Sequence, residues 1–333
     1  MLIKPYALIF TGFLTSGTFI ACSAESWFTC WLGLEINLIR LIPLLLIKLS
    51  PISTEAAIKY FLAQAIASIL IMFAALSNNI MFSEIFIIEA NYLIFLALSI
   101  KAGIAPLHFW FPQVIKNREW AQCALIISWQ KIAPFVLLSS FLSSNIFFII
   151  TLFRVATGAL GGLNQSNIKI ILTYSSIIHS GWMLTVIQFS TSYWLIYFFI
   201  YVFISITLIS CFWGSNIQSS SQINSSNWNT TTKSNFYLSL VSLGGLPPFL
   251  GFRAKISALC LIIYNTNLIL IFIIIISSLV SLFYYIQLIY NLIMNSTEKN
   301  KILSNINNNL NNKILFSVSL LGNVLIPIIL SLT

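Results

Sequence analysis

Apolar runs of about twenty residues, separated by short polar clusters, dominate this sequence, and that is the length a helix needs to cross the hydrocarbon core of a bilayer. Cutting the chain where polar or charged residues gather predicts eleven spans, at 6–22, 28–47, 57–76, 86–115, 121–142, 146–163, 170–189, 192–213, 235–258, 267–293 and 314–332. The fourth contains Pro106 and the ninth Pro247-Pro248, so both helices are expected to break within the membrane. The first run follows Lys4 without a small-residue cleavage site before Trp27, and it reads as a span rather than a removable leader.

Eleven spans make the loops alternate between two sides, and the basic residues sort accordingly. Lys4, Lys48, Lys59, Lys116, Arg118, Lys169, Lys233, Lys299, Lys301 and Lys313 fall on the side of the N-terminus, and the opposite loops hold none. Basic loops stay on the non-translocated side, which places the N-terminus on the cytoplasm-like face. Two loops on that face, 214–234 and 295–313, are long and polar. Their Asn224-Ser-Ser, Asn229-Thr-Thr and Asn295-Ser-Thr triplets match the glycosylation pattern only by chance, because that modification needs a secretory lumen.

Composition sharpens the class. The 333 residues are 59% hydrophobic and 7% charged, with a mean hydropathy of +0.95, which excludes an ordinary soluble domain. The net charge of +9 would suggest nucleic acid or acidic partners in a soluble chain; here it marks loops. Cys22, Cys30, Cys123, Cys211 and Cys260 are scattered singly, without metal-ligand spacing, and read as small core residues.

Removing the loop charges leaves Glu35, Arg40, Lys101, Lys131, Arg154, Arg253 and Lys255 inside spans. Glu35 lies about seven residues into its helix, roughly 10 Å deep, too far for a short side chain to reach the headgroups. Lys101 lies about fifteen residues into the fourth element and Lys131 about ten into the fifth, both near mid-membrane. A charge at that depth is costly, and the default explanation is an ion or proton path rather than a structural contact. Burial disfavours the ammonium form and a nearby carboxylate restores it, so a lysine whose carboxylate partner can be moved or neutralised becomes a proton-transfer switch.

The ninth element, Leu243-Gly-Gly-Leu-Pro247-Pro248-Phe-Leu-Gly251-Phe-Arg253-Ala-Lys255, breaks just before a lysine; the fourth breaks just after one. Five spans apart, the two cross the membrane in opposite directions, as corresponding members of an inverted repeat do, and such discontinuous helices point to an ion path. Arg40 can snorkel to the basic face, Arg154 is too deep to do so, and Arg253 suits the carbonyls of a broken helix. His108 and His179 are the only histidines; His108, beside the break, is placed to exchange protons with Lys101. Two histidines 71 positions apart, without cysteines or paired carboxylates, make no metal or haem site.

In this order, the motifs resemble the antiporter-like membrane subunits of respiratory complex I. Trp31-Leu-Gly-Leu-Glu35-Ile-Asn37 resembles that family's glutamate helix, and Lys101-Ala-Gly-Ile-Ala-Pro106-Leu-His108-Phe-Trp110 its central lysine helix. Gly161-Gly-Leu-Asn-Gln165 with Tyr174-Ser-Ser176 resembles the segment after it, and Gly244-Gly-Leu-Pro-Pro248 through Gly251-Phe-Arg-Ala-Lys255 the second broken helix. Eleven spans fit the animal members, which are similar to fourteen-span bacterial members without three N-terminal helices.

The resemblance implies an all-α integral membrane protein forming one domain over 1–333: two inverted five-helix repeats with discontinuous helices, approximately 1–142 and 146–293, plus a terminal helix, 314–332. It implies a proton-translocating channel without a redox centre of its own, driven by quinone reduction elsewhere in a complex that uses NADH, FMN, iron–sulfur clusters and ubiquinone. Carried over by position, Glu35 and Lys101 would form the input pair, Lys131 the connecting lysine and Lys255 the outlet or onward link, with His108, Lys169 and His179 auxiliary. The implied partners are the other membrane and peripheral subunits of that complex and the lipid bilayer, with no nucleic acid and no cofactor or metal in this chain. The implied location is the mitochondrial inner membrane, N-terminus on the matrix side and C-terminus on the intermembrane side. Arg40 and Arg154 depart from the charge pattern recognised in the family. A stand-alone cation/proton antiporter and a structural scaffold with relic charges are the rival classes.

Overall fold

A computed structural model describes residues 5–80, 84–141, 145–215, 217–225, 230–264 and 268–299, together with Gly322. Every regular element among them is helical, and ten of the eleven expected spans coincide with described helices. The expected span at 314–332, apart from Gly322, and the loop charges Lys4, Lys301 and Lys313 lie outside the described residues. Among the described residues, six stretches are long and apolar enough to cross a membrane: Trp27–Leu45, Pro51–Ser77, Trp120–Leu138, Ile168–Ile187, Thr191–Gly214 and Leu268–Asn291.

The chain forms two compact units, residues 1–143 and 144–333. The first holds α1 (Pro5–Cys22), α2 (Trp27–Leu45), α3 (Pro51–Ile80), α4 (Glu84–Ala102), α5 (Trp110–Lys116), α6 (Trp120–Ile127), a 3-10 turn at Trp129–Lys131 and α7 (Ile132–Leu138). Helix α1 packs along α2, α3 lies against α2 and α4, and α7 touches both α1 and α4. Close approach of α1 and α2 depends on Gly33, where an added Cβ would fall 2.5 Å from the Ala21 backbone nitrogen.

Helix α3 starts six residues before its apolar run. Ser50 and Ser53 cap each other's backbone nitrogens at 2.9 and 3.1 Å, and Pro51 occupies the first helical position, where a missing N–H costs nothing. Hydropathy marks where a helix meets lipid, whereas capping marks where it begins.

Arg118 corrects an expectation. Assigned by sequence to the basic surface, it is 2% exposed. Its Nη1 donates to Leu45 O at 2.6 Å and its Nη2 to Ser53 O at 2.7 Å, while Gln122 Nε2 donates to Leu44 O at 2.8 Å. The last carbonyls of α2, which a helix leaves without intrahelical donors, are thereby tied to the connection between α5 and α6. Glu119 beside it pairs with Lys48 at 2.8 Å on the surface.

The second unit holds α8 (Asn145–Gly162), α9 (Ile168–Ile187), α10 (Thr191–Ser215), α11 (Ser220–Ser225), α12 (Thr230–Gly244), α13 (Leu250–Tyr264) and α14 (Leu268–Lys299). Helix α9 is its centre, packed against α8, α10, α13 and α14 and buried along nearly its whole length. Its buried hydroxyls are satisfied locally: Thr173, Ser175, Ser176, Ser180 and Thr185 all donate to carbonyls three or four residues back. The long polar loop expected at 214–234 contains α11 and the first turn of α12, and Ser219 bridges to Asn167.

Lys169, expected in a loop, is 3% exposed near the start of α9, where the Asn167 side chain caps the helix by accepting from its backbone nitrogen at 3.0 Å. Cys30, Cys123 and Cys211 are buried as expected; Cys260 is exposed and Cys22 half-buried, because both face outward on apolar helices in a chain whose surface is itself apolar. Phe61, Ile69 and Phe73 on α3 and Leu268, Phe272 and Leu279 on α14 show the same outward apolar character.

Candidate functional site

Both expected helix breaks are present, and they share one device. Helix α4 ends at Ala102 and α12 at Gly244, and the next residue in each case is a glycine at positive φ, Gly103 at 65° and Gly245 at 77°. In the first, Gly103 N donates to Ile100 O at 3.0 Å and Ile104 N to Ser99 O at 2.8 Å. In the second, Gly245 N donates to Ser242 O at 3.1 Å and Leu246 N to Val241 O at 3.3 Å. This pair of bonds, closed over a left-handed glycine, is the Schellman motif, and it stops a helix without burying bare carbonyls. The Ala105-Pro106 and Pro247-Pro248 peptides that follow are both cis.

Neutral side chains also donate to carbonyls at the end of α4. Trp110 Nε1 donates to Ile100 O at 3.1 Å, and Gln64 Nε2, from α3, to Lys101 O at 3.4 Å. The Lys101 side chain is therefore not spent on the backbone. It is 5% exposed and lines a cavity of about 10 Å³ with Leu34, Asn37, Leu38, Tyr60, Gln64, Gln130 and Pro134. Glu35, one residue from that wall, is half-buried and couples electrostatically to Lys101, while its Oε2 makes no hydrogen bond among the described residues. The two do not touch as an ion pair, so their interaction is a field rather than a lock.

The fifth span is also broken, which the sequence reading did not foresee. Between α6 and α7 the chain narrows into the 3-10 turn Trp129–Lys131, placing Lys131 at the interruption. Pro134 lies in the first turn of α7, where a missing N–H is tolerated, so no proline signal marks the break itself. Lys131 is 2% exposed, with its ammonium 5.6 Å from the Phe111 ring centroid. His108 occupies the break between α4 and α5, stacked on Phe109, and its carbonyl accepts from Phe111 N at 2.9 Å.

In the second unit Lys255, 6% exposed on α13, reaches back and donates to Gly244 O at 2.7 Å, so the lysine itself satisfies the end of α12. Its stem lies across Gly245, where a Cβ would meet Lys255 Cδ at 2.7 Å. Gly251 brings α13 against α12, since a Cβ there would overlap the Ser242 carbonyl oxygen. Arg253 is half-buried on the same helix.

Arg154, fully buried on α8, donates to Ile177 O at 3.2 Å and to the Ser180 hydroxyl. Hydroxyl and carbonyl dipoles of α9 thus solvate a cation that cannot snorkel. His179, between those two partners, shares a 3.0 Å hydrogen bond with Tyr197 OH and lies 5.1 Å from the Tyr201 ring. Arg40 packs over Phe13, its guanidinium 4.2 Å from the ring centroid.

The first unit therefore brings together Lys101 and Glu35 and adds Tyr60, Gln64 and Gln130, which the sequence reading missed as site residues. Being uncharged, they did not stand out in a search for intramembrane ions. Tyr60 and Gln64 do sit four apart in an apolar run, a spacing that puts both on one helix face.

Comparison with known proteins adds an independent line. Residues 24–283 match the sequence-family model described as NADH:quinone oxidoreductase/Mrp antiporter, TM. NADH-ubiquinone oxidoreductase chain 2 of Anopheles gambiae is 38% identical over 331 residues, covering 95% of this chain and 93% of the relative. The protein of the same name from Osphranter robustus is 38% identical over 300 residues, 86% of this chain and 85% of its own. Among solved structures, a chain of respiratory complex I from Thermus thermophilus superposes with a TM-score of 0.82 at 21% identity, covering 96% of this chain and 78% of that one. A chain of the Mrp complex from Dietzia gives 0.74 at 18% identity, covering 84% and 58%. At these identities the structural likeness establishes the fold.

Proposed function

Since this chain belongs to the NADH:quinone oxidoreductase/Mrp antiporter transmembrane family, we propose that it is a proton-translocating membrane-arm subunit of respiratory complex I in the mitochondrial inner membrane. Its N-terminus faces the matrix and its C-terminus the intermembrane space. The observation that carries this reading is Lys101: a buried ammonium at the end of a broken helix, within the field of Glu35, facing a polar cavity. The relay runs in the order Glu35, Lys101, Lys131, Lys255, with His108, Lys169 and His179 as auxiliary carriers. NADH, the flavin, the iron–sulfur clusters and ubiquinone act elsewhere in the complex, and the two units of this chain work as the two halves of one inverted repeat.

Charge coupling explains the work of the pair. Glu35 acts on the Lys101 side chain through its field, so moving Glu35 changes how Lys101 handles its proton, and that change is the switch. Broken helices are tolerated at such depth where their backbone lines a hydrated path or faces protein.

The decisive experiment uses the intact assembly. Mild solubilisation yields the chain in a very large complex with flavin and iron–sulfur absorbance, and Lys101→Ala leaves assembly and artificial-acceptor NADH oxidation intact while lowering protons moved per electron. A chain that purifies alone and exchanges cations for protons is a stand-alone antiporter. Unchanged pumping in Lys101→Ala makes the buried charges a scaffold.

A further inference from the structure

We propose that Arg154 makes the second unit selective for protons over metal ions: its guanidinium occupies the oxygen-lined place on α9 where a sodium or potassium ion would otherwise lodge. This rests on the relay proposed above, in which His179 is an auxiliary carrier. An alkali cation leaves water only where oxygens replace its hydration shell, whereas a proton needs a single nitrogen or oxygen atom. The oxygens along α9 therefore decide which ion the unit accepts.

Those oxygens are committed within the unit. Ile177 O accepts from Arg154 Nε at 3.2 Å, and Ser180 Oγ is a second side-chain donor to it at 2.8 Å. The Ser180 hydroxyl in turn accepts from the Arg154 guanidinium. Ser176 Oγ donates to Thr173 O at 2.7 Å and shares a hydrogen bond with Tyr201, whose phenol couples electrostatically to Arg154. His179 lies between Ile177 and Ser180 in the same turn of α9, bonded to Tyr197 OH at 3.0 Å. The tethered cation is thus anchored on the residues that flank a proposed proton carrier.

Charge points the same way. From residue 144 to the end of the sequence the only acidic residue is Glu298, next to last in α14, whereas Arg154 is fully buried on α8. An arginine does not give up its proton in proteins, so this positive charge is permanent and Arg154 carries nothing itself. Holding α8 to α9 does not call for a cation either, because the two helices already close on glycines: added Cβ atoms at Gly158 and Gly181 would strike Ile178 and Val155. A metal ion meets like charge and finds its oxygens taken. A proton meets the same charge but needs no coordination shell, and that difference is the selectivity.

The test uses the assembled complex in liposomes, with sodium uptake and protons moved per electron both read during NADH oxidation. The wild type should take up no sodium beyond the background of protein-free liposomes, and its ratio should be the same in sodium, potassium and choline media. Arg154→Ser removes the charge and frees Ile177 O and the Ser180 hydroxyl, so it should take up sodium at least about tenfold faster than the wild type and move fewer protons per electron in sodium than in choline. Arg154→Lys keeps the charge and should stay sodium-tight. An assembled Arg154→Ser complex that stays sodium-tight overturns the proposal, as does sodium uptake by the wild type. Arg154→Gln stands in where Arg154→Ser fails to assemble, and failure of both neutral variants makes the arginine a structural cation and overturns the proposal as well. Should Lys101→Ala pump normally while Arg154→Ser admits sodium, the relay falls and the exclusion stands; should Lys101→Ala lose pumping while Arg154→Ser stays tight, the relay stands and only this inference fails.

Discussion

In the fourth span the chain leaves α4 at Gly103 with Lys101 already behind it; in the ninth it leaves α12 at Gly245 with Lys255 still to come on α13. The stop signal is the same in both, a left-handed glycine closed by two backbone bonds. What differs is which side chains donate to the carbonyls there. Gln64 and Trp110 do so in the first break, leaving the Lys101 ammonium to the cavity. Lys255 does so itself in the second, and must give up a 2.7 Å bond to move. One lysine is poised for transfer, and the other doubles as a helix cap.

The largest expected contrast comes from removing each charge. Lys255→Met should lose pumping and also weaken the assembled complex, because it strands the buried Gly244 carbonyl at a cost of about 1–3 kcal/mol. Lys101→Met should lose pumping alone, since no carbonyl among the described residues depends on its side chain and a buried charge is expensive to keep. Native electrophoresis alongside proton-to-electron ratios separates the two, and equal assembly defects would break the comparison.

The glycines should differ by less. Both Gly103→Ala and Gly245→Ala force a Cβ into the left-handed region, costing about 1–2 kcal/mol. Only at Gly245 does the new methyl also strike the lysine stem, at 2.7 Å, against ordinary contact with Phe111 at 3.4 Å for Gly103. Thermal inactivation of the solubilised complex should rank Gly245→Ala below Gly103→Ala, and the reverse order would mean that Lys255 does not lie where α12 ends.

The smallest effect belongs to Gln64→Leu. Its 3.4 Å bond to Lys101 O is long, so about 0.5–1.5 kcal/mol of stability is expected to go. Pumping should fall by more than stability does, because the α4 terminus that presents Lys101 is then unpinned. A variant with normal pumping would leave Gln64 a packing residue.

Much of this was legible in the residue order. Apolar run length determined the helices, since a bilayer accepts little else, and the Gly-x-x-Pro pattern at 103–106 and the Gly-x-Pro-Pro pattern at 245–248 announced two broken spans. Depth along a helix singled out Glu35, Lys101, Lys131 and Lys255, because charge in an apolar run stands out regardless of its neighbours. Tertiary structure alone decided what those charges meet. Arg118 and Lys169 looked like surface charges until packing buried them, and Lys131 sits in a break that no glycine or mid-helix proline marks. Asn37, Tyr60, Gln64 and Gln130 come from three separate helical segments, and nothing in their spacing says that they converge on one cavity. The physical reason is range: hydropathy and capping act within a few residues along the chain, whereas a hydrogen bond or an electrostatic field is set by distance in space.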